Sequence, residues 1–199
     1  KKKSKLQVYL NRSRYVIDYD LDEKKINFYS KNSFIGNDKL VFSGKIYLDP
    51  FNFDVTSSLD SLKLKKLLLN SLLLKEILSK DFFLNENFNG NMNLIIKNLE
   101  NNPLFNNSNI NLNFKGQTLE FNNSVFLNEK IANLVVKKGI LFEEKNNLLF
   151  RGNVDFAIND INKLYNKFVV PKKNRNDFKS INFEVLINLT TNEFKILKI

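Results

Sequence analysis

The chain has 199 residues, 43% of them hydrophobic, and a formal net charge of +10. That apolar content excludes a disordered chain, and apolar runs of three or four residues at most exclude a membrane-spanning helix. With no histidine and no cysteine, Ser-His-Asp triads, thiol nucleophiles, imidazole or thiolate metal sites and disulfides are all excluded.

The length fits one domain. Starting at Lys1 without a leader pattern of basic, apolar and small residues, the sequence reads as a piece or processed form of a longer protein. Lys1, Lys2, Lys3, Lys5, Arg12 and Arg14 precede the first acidic residue, Asp18, and a second basic cluster sits at Lys172, Lys173, Arg175 and Lys179. Between them the signs mix, which reads as a boundary and one basic loop rather than a phosphate-contacting stripe; no nucleic-acid partner is expected.

Period-2 alternation dominates. It predicts strands at Leu6–Leu10, Arg14–Tyr19, Lys24–Tyr29, Leu40–Leu48, Asn91–Lys97, Ile110–Lys115, Thr118–Asn122, Ala132–Lys137, Leu148–Ile158 and Ile181–Leu189. Turn-forming punctuation such as Lys31-Asn-Ser, Asn101-Asn-Pro and Lys145-Asn-Asn separates many of them, so the fold class is mainly β, an antiparallel meander. Phe34-Ile-Gly36, followed by Asn37 and Asp38, reads as a turn.

Two segments depart from this pattern. From Leu59 to Leu78 the chain is leucine-dense, and Ser57-Ser-Leu-Asp60 matches a capping box, which predicts a buried or plugging helix there. A strand through Leu62 and Leu64 leading into a shorter helix is the alternative. Later, Asp160 caps a helix whose Ile161, Leu164, Tyr165 and Phe168 stand at i, i+3, i+4 and i+7, ended by Pro171.

Chemistry is left to carboxylates, lysines and tyrosines. Asp18, Asp20 and Asp22 lack the glycine and glutamate of a calcium loop, and no phosphate-binding glycine motif occurs. No catalytic residue, cofactor or metal site is expected.

What the sequence supplies is an apolar face. Phe42, Ile46, Leu48, Met92, Leu94, Ile96, Ile110, Leu112, Phe114, Leu119, Phe121, Phe150, Val154, Phe156, Ile181, Phe183, Val185 and Ile187 all fall on the inward side of their strands. Alternation fits both a filled sandwich core and an open apolar groove. Phe42-Ser-Gly44, Phe88-Asn-Gly90, Phe114-Lys-Gly116 and Phe150-Arg-Gly152 each place a glycine two residues after a phenylalanine, using four of six glycines. An inward glycine opens the side-chain layer and lets a sheet curl into a half-pipe.

The run Phe42-Ser-Gly-Lys-Ile-Tyr-Leu-Asp-Pro-Phe-Asn-Phe53, the leucine-rich segment, the strands around Gly90 and Gly116, and Phe150-Arg-Gly152 leading through Tyr165-Asn-Lys-Phe168 and Pro171-Lys-Lys to Ile181-Asn-Phe-Glu-Val185 together resemble the AsmA-like C-terminal region. The likeness covers roughly residues 40 to 190, a pattern of spacing and residue type; the strands of residues 1–39 would lead into the same continuous domain of 40–199. It implies a long, strongly curled sheet with one or two helices packed on or plugging it, similar to TamB and to bridge-like lipid transporters. It further implies a non-enzymatic periplasmic module of a Gram-negative envelope protein, anchored in the inner membrane outside this segment. Phospholipid acyl chains would lie on the inward face, with outer-membrane biogenesis as the setting and outer-membrane proteins as further partners. Gly44, Gly90, Gly116 and Gly152 would curve the wall, and Lys172, Lys173 and Arg175 are candidate headgroup contacts. A closed sandwich acting as a structural or interaction domain is the rival expectation.

Overall fold

A computed structural model describes residues 2–10, 12–63, 85–116, 118–145 and 147–199. The protein is mainly β. Among the described residues thirteen strands form one sheet: β1 (Lys2–Leu10), β2 (Ser13–Leu21), β3 (Lys25–Ile35), β4 (Asp38–Leu48), β5 (Phe51–Leu59), β7 (Asn89–Ile96), β9 (Asn107–Lys115), β10 (Thr118–Glu120), β11 (Ser124–Asn128), β12 (Ala132–Glu144), β13 (Asn147–Ile158), β14 (Ser180–Asn188) and β15 (Glu193–Lys198). Two short strands, β6 (Leu62–Lys63) and β8 (Leu99–Glu100), pair separately.

Neighbours in sequence are mostly neighbours in the sheet, as short hairpin turns between antiparallel strands require. The exception is β5 beside β7, which run parallel because the chain between them crosses over. β10 and β11 act as one interrupted strand, both bridging β9 and β12. β3 and β4 pair as a hairpin that turns on Gly36 at φ +62°.

Register shifts in β2–β3, β3–β4, β12–β13 and β14–β15 mark bulges, which locally raise the right-handed twist. The bulge in β3 is held by serine: Ser30 and Ser33 are buried, their hydroxyls 2.6 Å apart, and Ser33 Oγ accepts from the Val16 N–H at 2.8 Å.

Ser57, Ser58 and Leu59 belong to β5 and do not cap a helix. Ser57 is buried and its hydroxyl donates to the Asn93 carbonyl at 3.3 Å. Leu62–Lys63 is strand, as the alternative for that stretch had it; the helix expected within Leu59–Leu78 otherwise lies outside the described residues. The second helix, α1 (Ile161–Lys167), forms where expected, with the Asp160 carboxylate accepting from the Lys163 N–H at 3.0 Å. Leu164 and Tyr165 are its buried face, while Phe168 points to solvent.

Candidate functional site

Residues opposite one another on adjacent strands project to the same side of a sheet. One such row runs Leu21, Ile26, Ile46, Phe53, Gly90, Phe114, Leu119, Leu141, Phe150, Ile187 and Phe194, apolar or glycine at every step from β2 to β15. Beside it, Tyr19, Phe28, Gly44, Val55, Met92 and Leu112 form a second row. The row displaced by one residue reads Asp20, Asn27, Lys45, Asp54, Asn91, Asn113, Glu120, Ile140, Arg151, Leu186 and Lys195. From β2 to β15 the sheet has one apolar face and one largely polar face.

The residues expected on the inward side share that apolar face. Phe42 and Ser57 lead to Leu94 and Ile110; Val154 opposes Phe183, Phe156 opposes Ile181, and Gly152 opposes Val185. Their burial is graded. Around the middle strands Ile96, Ile110, Phe114, Leu119, Leu141, Val154 and Val185 are buried. Toward the flanks the face opens: Phe42, Ile46, Phe183 and Ile187 are half-buried, Leu48 is exposed and Phe194 is 70% exposed.

At one end of the strands Phe51, Phe53, Phe88 and Phe114 form an aromatic cluster, with Phe53 and Phe88 centroids 5.0 Å apart and Phe88 meeting Phe114 edge-on at 5.5 Å. At the other end Leu99 and Phe105 pack on Ile96 and Ile110. The face therefore has apolar closure at both strand ends near its centre.

The glycines divide into two kinds. Gly44, Gly90 and Gly152 lie in strands on the apolar face, each beneath a phenylalanine ring. A Cβ on Gly44 would meet Phe28 Cζ at 2.8 Å, on Gly90 the Phe53 ring at 2.5 Å, and on Gly152 the Phe150 ring at 2.8 Å. Gly116 is different. It sits in the β9–β10 turn at φ +55°, so its place in the Phe-x-Gly series reflects a left-handed turn rather than a curved wall. Sequence reading missed Gly139, which faces Gly152 across the ladder under the same Phe150 ring. It lies inside Gly139-Ile-Leu-Phe142, where apolar residues occupy both faces and alternation is hidden.

Of the basic candidates, Lys172 and Lys173 are exposed on a 3-10 turn. Arg175 is already engaged. Its guanidinium donates to the Val170 carbonyl and to Asn166 Oδ1, both at 3.0 Å, and lies 5.6 Å from the Tyr165 ring centroid. This ties the arginine to the end of α1.

The polar face carries a shallow concavity of about 760 Å³ lined by Glu120, Asn122, Lys138, Arg151, Asn153 and Glu184 among others. Its charges are largely matched within the sheet: Arg151 Nε bonds Glu184 at 2.6 Å and Lys115 bonds Glu120 at 3.1 Å. Beside it, Asn93 donates to Asn109 at 2.5 Å and Asn111 at 2.6 Å, consuming the asparagine amides in cross-strand bonds. No group of His, Cys, Asp or Glu side chains among the described residues is arranged to hold a metal. No helix among them is long and apolar enough to cross a membrane.

No protein-family model, curated protein or solved structure matches the chain.

Proposed function

We propose that this protein is a non-enzymatic lipid-binding β-sheet module that holds phospholipid acyl chains against its apolar face. The observation that carries the reading is the row from Leu21 to Phe194, apolar or glycine at every position from β2 to β15, with its flanking strands open to solvent. Burying an acyl chain contributes about 0.8 kcal/mol per CH2. A continuous apolar surface therefore retains lipid without specific polar contacts, and headgroups stay at the rim near the exposed Lys172 and Lys173.

The sequence resemblance to the AsmA-like region supplies the setting: a periplasmic part of an inner-membrane-anchored envelope protein in phospholipid transport and outer-membrane biogenesis. The bulges and phenylalanine-covered glycines support a curled sheet, because both devices increase local twist or bend.

A second reading has its own observation. Ile96 is fully buried and Phe114 and Leu141 are 6% and 5% exposed, so the centre of the face is filled by protein. On this reading the sheet is a structural or interaction domain in outer-membrane assembly, and its flanks are where a protein partner packs. Mass spectrometry of lipids extracted from protein purified without detergent separates the two: stoichiometric phospholipid above a matched basic β-protein supports the first, and none supports the second.

A further inference from the structure

We propose that the turn after α1, Phe168-Val-Val-Pro171 with its flanking lysines, docks the protein onto an anionic lipid surface. This goes beyond acyl-chain binding on the sheet: it adds the apolar pair Phe168 and Val169 and shares only Lys172 and Lys173 with that reading. Helix α1 ends in a left-handed turn: the Val169 N–H bonds the Asn166 carbonyl at 3.2 Å and the Val170 N–H bonds the Tyr165 carbonyl at 2.9 Å. The residue between these turns, Val169, has φ +54°. That position is ordinarily glycine or asparagine, and a β-branched residue there is strained.

Valine at such a site needs a compensating contact, and the fold provides none: Val169 is 84% exposed and its neighbour Phe168 is 54% exposed. The turn is nonetheless held firmly in this shape. Arg175 donates to the Val170 carbonyl and to Asn166, and Tyr165 accepts from the Asn176 N–H at 2.9 Å while its hydroxyl bonds the Asn176 carbonyl. Two apolar side chains are thus presented outward on a braced, strained turn. Backbone strain held in place by its surroundings at an exposed position is a reason to look for a function there.

Charge says what the turn meets. Between residues 160 and 179 stand Lys163, Lys167, Lys172, Lys173, Arg175 and Lys179 against Asp160 and Asp177. Asp160 is paired with Lys163 at 3.0 Å and Arg175 is bound to the turn. Lys167, Lys172 and Lys173 are exposed and flank Phe168 and Val169 in the chain. An apolar pair set among lysines matches an anionic bilayer surface, where the side chains enter the acyl boundary and the ammonium groups meet phosphates.

The test is co-sedimentation with vesicles of phosphatidylcholine alone or with about one third phosphatidylglycerol. The native protein is expected to bind the anionic vesicles and to lose binding as salt rises. Val169→Gly relaxes the left-handed strain, so its melting temperature should equal or exceed that of the native protein, while vesicle affinity falls at least about tenfold. Lys172→Ala with Lys173→Ala, both on exposed positions, should lower affinity about thirtyfold. Equal binding to neutral vesicles, no binding to either, or undiminished binding by both variants would overturn the proposal. Lipid co-purifying with the sheet should be unchanged in Val169→Gly, which separates failure of docking from failure of acyl-chain binding.

Discussion

Gly139 and Gly152 face each other across the β12–β13 ladder, and the Phe150 ring lies over both, within 3.0 Å of where either Cβ would stand. The pair leaves a slot in an otherwise continuous apolar layer, and the aromatic ring fills it. Phe28 over Gly44 and Phe53 over Gly90 repeat the arrangement on the opposite side of the sheet centre.

Adding a methyl group in these slots should be felt by stability. Gly152→Ala meets the Phe150 ring at 2.8 Å and the Lys138 carbonyl oxygen at 3.4 Å, and is expected to destabilise by roughly 1–3 kcal/mol, measured by denaturant unfolding. Gly44→Ala also drives its Cβ into the Asp54 carbonyl oxygen and should lose more. Equal or improved stability in both variants would remove the slots from the account.

Gly116 should behave otherwise. At φ +55° with only ordinary contacts around it, Gly116→Asn is expected to be nearly neutral, whereas Gly116→Val should lose about 1–2 kcal/mol from the left-handed conformation. Unfolding curves of the two variants check this.

Arg175 offers a charge-preserving test. Lysine keeps the positive charge but cannot reproduce the paired donation to Val170 and Asn166, so Arg175→Lys should destabilise by roughly 1 kcal/mol. An unchanged melting temperature would restore Arg175 as a free surface cation.

Asp160 ties helix α1 to pH. The Lys163 backbone N–H, and then the Lys163 side chain, hold its carboxyl below the ordinary value of 3.8. A carboxylate with a lowered folded-state pKa stabilises above its unfolded value, and that contribution is lost as pH falls through the folded value. Asp160→Ala should therefore lower the melting temperature at neutral pH by about 2–4 °C, and the difference should vanish in strong acid. Asp160→Asn, which keeps an acceptor without titrating, should show the smaller effect at neutral pH.

Much of this architecture was written in period-2 alternation. Strands such as Leu40–Leu48 and Leu148–Ile158 have one apolar and one polar side, so their existence and facing follow directly from sequence. Helix α1 was equally readable, because Asp160, the i, i+3, i+4 apolar positions and Pro171 all agree. Other strands left weaker traces. In β5 the alternation of Phe51, Phe53 and Val55 passes into Ser57, a buried polar residue on the apolar side that imitates a helix cap. β11 reads Ser-Val-Phe-Leu-Asn, too short and too apolar to show a period, and β15 is exposed throughout. The parallel β5–β7 pairing depends on a crossover that no local pattern encodes. As for the candidate site, the inward face was legible residue by residue, but its graded burial was not, since exposure depends on what packs above each strand.

The two faces of β14 provide the sharpest local contrast. Ile187 lies on the apolar row and Leu186 on the polar side, both half-buried. Ile187→Glu is expected to abolish lipid retention and Leu186→Glu to leave it intact, provided both variants melt cooperatively.

The measurement that bears most directly on the central claim is quantitative lipid mass spectrometry of the detergent-free protein, run with these two variants and a basic β-protein of similar size. The account predicts stoichiometric phospholipid on the native chain and on Leu186→Glu, and none on Ile187→Glu. Background-level lipid on a cooperatively folded native protein would contradict it and leave the apolar face as a packing surface for protein.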